Sequence, residues 1–150
     1  MRFTKPRDLL AAGLIAGLLA HLLLRLAYDT LPPLPTFAGF TLLVIAAVDL
    51  VLGFSLRARI LRRPGTAPVQ PLTAARAVAL AKASSLLGAI MGGAWAGVLI
   101  YVLPARGEFE AADHDLVSGV VGILCAAALV GAALWLEHCC KTPEDPHLDG

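Results

Sequence analysis

Charge is what this chain has least of. Asp, Glu, Lys and Arg make up 15% of its 150 residues, while 58% are hydrophobic. Soluble domains carry about a quarter charged residues, so a water-soluble globule is a poor fit. The net charge is +1, so no global field draws nucleic acid. Basic and aromatic residues are not interleaved, and no helix-turn-helix pattern stands outside the apolar runs. Nucleic acid is therefore not an expected partner. Three cysteines make no disulfide framework. Cys125 lies in an apolar run and reads as a small hydrophobe. Cys139 and Cys140 are adjacent near the C-terminus, where a reduced, cytoplasmic state is expected. No nucleophile–base set is visible either. The glycine-rich stretches GAIMGG and GGAWAG lie inside an apolar run with no strand before them, so they do not read as a phosphate loop.

What the chain does have is long apolar runs, with a mean hydropathy of +0.77. Their spacing predicts an all-α, four-helix integral membrane bundle forming one domain over 1–150. The spans fall at about 8–28, 37–56, 73–103 and 116–136, each reaching the ~20 residues needed to cross a bilayer. A polar tail, 137–150, follows. The basic start before the first span also describes a signal peptide. Tyr-Asp-Thr-Leu-Pro follows that span instead of a small-residue cleavage site, so an uncleaved helix is preferred. The proline-dense DTLPPLPT stretch is a turn, because proline lacks the N–H and restricts the residue before it. The stretch from Arg57 to Ala75 reads as a polar connection containing an extended Pro/Gly linker. Thr73 is the expected N-cap of the third helix, and Pro104 its stop. ARGEFEAADHD reads as an acidic loop. Arg2, Lys5, Arg7, Arg57, Arg59, Arg62, Arg63, Arg76 and Lys141 share one side of such a bundle, against Arg25 and Arg106 on the other. The positive-inside rule then puts both termini in the cytoplasm.

The third span organises the rest. In PLTAARAVALAKASSLLGAIMGGAWAGVLIYVL, the small residues Ala77, Ala81, Ser85, Ala89, Gly93 and Gly97 recur every four positions. Gly88, Gly92 and Ala96 form a second row beside them. At about 100° per residue both rows share one side, with Leu80, Leu87, Met91 and Val98 opposite. Lipid is as apolar as leucine, so membrane helices associate by close packing of small residues. Ala81, Ser85, Ala89, Gly93 and Gly97 are thus the expected helix-packing positions, and the bulky side is expected to meet lipid.

Polar residues within the spans are the candidate functional positions. Asp49 and Lys82 fall at similar depths on sequential helices and are expected to pair. A lone charge there costs about 2.5–3.5 kcal/mol on insertion scales. The competing arrangement has Lys82 reaching the headgroups while Asp49 meets Arg57 across Gly53. His21, with Arg25 and Asp29 at steps of four, forms a polar stripe on the first helix. It either lines a watery vestibule or bonds a neighbouring helix. Ser84 and Ser85 can bond carbonyls of their own preceding turn. His138, Cys139, Cys140 and His147 are metal-ligand types, but adjacent cysteines lack zinc-site spacing, so neither metal nor cofactor is expected.

The proline-rich first turn, the arginine stretch leading into TAARAVALAKASSLLGA, and the LEHCCKTPEDP ending together resemble an uncharacterised family of small four-helix membrane proteins from actinobacteria, a domain of unknown function. The resemblance spans nearly the whole chain. It implies a multi-pass protein of the bacterial cytoplasmic (inner) membrane, and it supplies no activity or catalytic residues. The resulting expectation is a non-enzymatic accessory or assembly subunit in the lipid bilayer, packed against itself or against another membrane protein. The alternative is a small oligomeric transporter or channel using His21, Asp49 and Lys82.

Overall fold

A computed structural model describes residues 5–27, 39–60, 70–105 and 110–140. Helix α1 spans Pro6–Ala27, α2 Phe40–Ile60, α3 Pro71–Val102 and α4 Glu110–Cys139. A short 3-10 turn, Leu103–Ala105, follows α3 and contains Pro104. All four helices are long and apolar enough to cross a membrane, and the described residues include no strand. In a bilayer the helix satisfies every backbone N–H and C=O internally, which is why apolar runs of this length take that form.

Several boundaries differ from those read in the sequence. Helix α2 runs on to Ile60, so Arg57 and Arg59 lie in its last turn and not in a connection. Cations there complement the helix dipole. Helix α3 begins at Pro71 with Gln70 as its N-cap, making no side-chain cap bond. Thr73 is therefore inside the helix. Pro71 at the first helical position has no N–H to leave unsatisfied, which explains the earlier start. Helix α4 takes in Glu110 to Asp115, so that part of the acidic stretch is helical. It also takes in Glu137 to Cys139, which the sequence places in a tail. The DTLPPLPT turn, the Pro/Gly linker and the residues after Cys140 lie outside the described residues.

The helices pack in the order α1, α3, α4, α2. Among the described residues α1 rests on α3 alone, and α3 and α4 form the central pair. One apolar cluster joins Leu42 and Ala46 of α2 to Cys125, Ala126, Leu129 and Ala132 of α4. Another joins Leu56 to Ala77, Ala81 and Leu136. A third gathers Leu24, Trp95, Val98 and Val102. Met91 packs against the first cluster and Val98 is buried in the third. The sequence spacing predicts that these two side chains meet lipid. They do not, because α3 has neighbours on more than one side, whereas Leu80 and Leu87 are exposed as expected.

The two small rows of α3 serve different neighbours. A methyl group built on Gly93 or Gly97 would fall on the backbone of Gly13 or Gly17, and one built on Gly13 would meet the carbonyl of Ala89. Position numbers rise together along this seam, so α1 and α3 run parallel. Gly88 instead faces Ala126 and Val130 of α4, and Gly122 of α4 seats the Trp95 ring. Gly131 of α4 has no neighbour within 4 Å of such a methyl.

The two glycines therefore answer differently to one added carbon. Gly93→Ala should cost about 1–3 kcal/mol, the range for overpacking a tight contact. Gly131→Ala should be neutral or slightly stabilising, since alanine is the better helix former. Thermal melts of both variants in detergent, followed by circular dichroism, check the contrast. Equal losses would contradict the close approach of α1 and α3.

Candidate functional site

A cleft of about 930 Å³ opens between α1 and α4, floored by α3. Leu10, Leu14 and Leu18 form one wall, Ala127, Val130 and Gly131 the other, and Gly92, Gly93 and Ala96 the floor. The cleft exists because α1 meets α3 but not α4. Its floor stays low because the α3 residues lining it, Ile100 at the His21 end apart, have no side chain larger than a methyl. The lining is carbon and backbone except for His21 at one end.

His21 is half-buried, and its Nδ1 is buried without a hydrogen-bond partner. Its ring meets Tyr101 edge-on, with centroids 6.0 Å apart and planes at 70°. Arg25, one turn further on, is exposed. Asp29 lies outside the described residues.

Asp49 lies away from this cleft. It is 0% exposed, on the α2 face that also buries Leu42, Ala46, Gly53 and Leu56. Neither carboxyl oxygen accepts a hydrogen bond, from Lys82 or from any other described residue. The polar neighbour is Ser84, close by but short of hydrogen-bond geometry. The reason lies in helix pitch. Residues 82 and 84 are about 200° apart around α3. The face that brings Ser84 to Asp49 turns Lys82 toward the α1 side, where it is half-buried and engaged. Sequence reasoning gives Ser84 only a bond to its own preceding turn and misses its approach to Asp49. Its signal was its place on the buried row with Ala81 and Gly88. Ser85 does donate to its own helix, at 3.0 Å from the Lys82 carbonyl.

The far end of α2 carries a small cluster of its own. The Arg57 guanidinium lies 5.4 Å from the centroid of the Trp135 ring, a cation–π arrangement. Trp135 also contacts Phe54 and His138. His138 is exposed, Cys139 buried and Cys140 intermediate. Among the described residues no group of three or more His, Cys, Asp or Glu could hold a metal. At the opposite end, the buried Asp115 lies 3.8 Å from the exposed His114. Ser118 donates to the His114 carbonyl at 3.2 Å.

Burial pushes the Cys140 thiol up, with Cys139 and the Glu137 carboxylate adding to the shift. The thiolate is the reactive form, and a free thiol ionises near 8.5. With Cys125 and Cys139 replaced by alanine, Cys140 should therefore alkylate more slowly than free cysteine at neutral pH. Its rate should still be climbing above the pH at which free cysteine levels off. Alkylation rates measured across that range check the sign, and a rate matching free cysteine would contradict the burial.

No curated protein and no solved structure matches the chain. A family model does, over residues 9–144. The four apolar helices and the packing described above lie almost wholly within that stretch, and the chain belongs to the family described as Protein of unknown function (DUF3180).

Proposed function

We propose that the protein is a non-enzymatic accessory subunit that receives a transmembrane helix of another membrane protein in the cleft between α1 and α4. The observation that carries this reading is the open cleft itself, with its floor of glycine and alanine. In lipid, helices associate where small residues let backbones approach. The floor continues the seam on which Gly93 and Gly97 already hold α1. A second helix laid beside α1 would use the same surface in the same way. The setting proposed is the bacterial cytoplasmic membrane, with the chain as one domain and both termini inside. The arginine and lysine asymmetry of the sequence supports that orientation.

The transporter reading has the burial of Asp49 in its favour. Its three residues do not gather around one cavity, however. His21 lines the cleft, while Asp49 and Lys82 do not.

A photo-crosslinking residue at Gly131 tests the docking. That position has open space, so the fold should accept the probe. In native membranes the probe should attach to one membrane protein, and Ala127→Leu, which narrows the cleft, should abolish the adduct. The same probe at the exposed Phe54 of α2 should not give it. Adducts to lipid alone, or to a second copy alone, would contradict a partner helix.

A further inference from the structure

A buried carboxyl with no hydrogen bond is the least expected group in a membrane helix bundle. Leu42, Ala46, Gly53 and Leu56 share its face of α2, and that face packs on α4. Gly53 lies against Trp135 and Leu136 of α4. The residue at position 49 thus sits where an apolar side chain would pack without cost. An ionised carboxylate in that place would need a cation or several donors. The structure offers it one neighbouring hydroxyl, on Ser84.

The charged and titratable groups on the elements around it lie elsewhere. On α3, Lys82 is about 200° around the helix from Ser84. On α4, Glu137, His138 and Cys139 lie toward the Arg57 end, the Cys125 thiol lies in the same seam but toward Gly39, and His114 and Asp115 lie beyond it. On α2 itself, Arg57 is two turns away, about 12 Å along the axis. The seam between α2 and α4 carries a second unpartnered polar atom, the Trp135 Nε1. Trp135 is half-buried and Arg57 exposed, so the seam reaches the surroundings within those two turns.

We propose that Asp49 is a proton-binding site buried within the membrane, its carboxyl taking up H+ beside Ser84 and releasing it as the pH rises. A proton suits the site because it is the one cation that needs no further oxygens. The neutral acid removes the charge from the apolar seam, and its O–H can donate to the Ser84 oxygen. The seam past Gly53 and Trp135 is the short way to water. This site is independent of the helix-docking cleft, which lies on the α1 side.

Dicyclohexylcarbodiimide, an apolar reagent that enters bilayers, reads the protonated acid directly. The carboxyl O–H adds across one C=N bond, the proton going to nitrogen and the oxygen to the central carbon. An acyl shift from that oxygen to nitrogen then leaves a stable N-acylurea. With the full chain in membranes, mass spectrometry should find the adduct on Asp49. Its yield should fall several-fold from neutral to alkaline pH, and sodium ions at fixed pH should not protect. Asp49→Asn copies the shape of the neutral acid. It should keep the parent's melting temperature while losing the adduct, and Ser84→Ala should keep the adduct but change its pH midpoint. No adduct on Asp49 at any pH, a pH-independent yield, protection by sodium, or an asparagine variant that melts well below the parent would each overturn the proposal.

Discussion

The contact on which this fold depends is the approach of α1 to α3 at glycine. Between apolar helices in lipid there is no hydrophobic gain to be had, since leaving lipid for protein exchanges one apolar neighbour for another. What remains is dispersion, which is small per atom pair and grows only when many atoms come close. Gly13 and Gly17 facing Ala89, Gly93 and Gly97 supply that closeness. Helix α1 has no other support among the described residues, and Leu24 is the only residue it buries there. One added carbon on this seam acts on the whole attachment.

The same contact shapes the rest of the surface. Because α1 is drawn onto α3 and does not reach α4, the outer part of the α3 face is left as the floor of a cleft. On the other side, α2 closes against α4 through larger side chains and through Trp135 laid over Gly53. The two sides of the bundle therefore differ in kind. One is open, carbon-lined and built from small residues. The other is filled and holds a buried carboxyl.

Much of the architecture was legible in the sequence. Four apolar runs are four helices, and the resemblance to an uncharacterised family agrees with the family that covers residues 9–144. The ends were less legible, because hydropathy marks where lipid lies and not where backbone hydrogen bonding stops. Arg57 and Arg59 continue α2, and Asp115 sits within α4, although both stretches read as polar connections. The rows of small residues on α3 were visible as spacing. Spacing alone could not assign the Gly93 row to α1 and the Gly88 row to α4, nor place Met91 and Val98 inside. Asp49 was visible as a lone charge. Its neighbour was not, since depth along the membrane normal does not carry the angle around α3 that separates Ser84 from Lys82.

The central claim is that α1 lies on α3 and stands apart from α4. Paired spin labels at Leu14 of α1 and Ala127 of α4, both facing the cleft, measure this in lipid nanodiscs by double electron–electron resonance. The account predicts a separated pair with the cleft between the labels, and a shorter, narrower distance distribution once both side chains are in contact is not expected. Labels found touching in the bilayer would mean that α1 closes onto α4, and would contradict both the open cleft and the docking built on it.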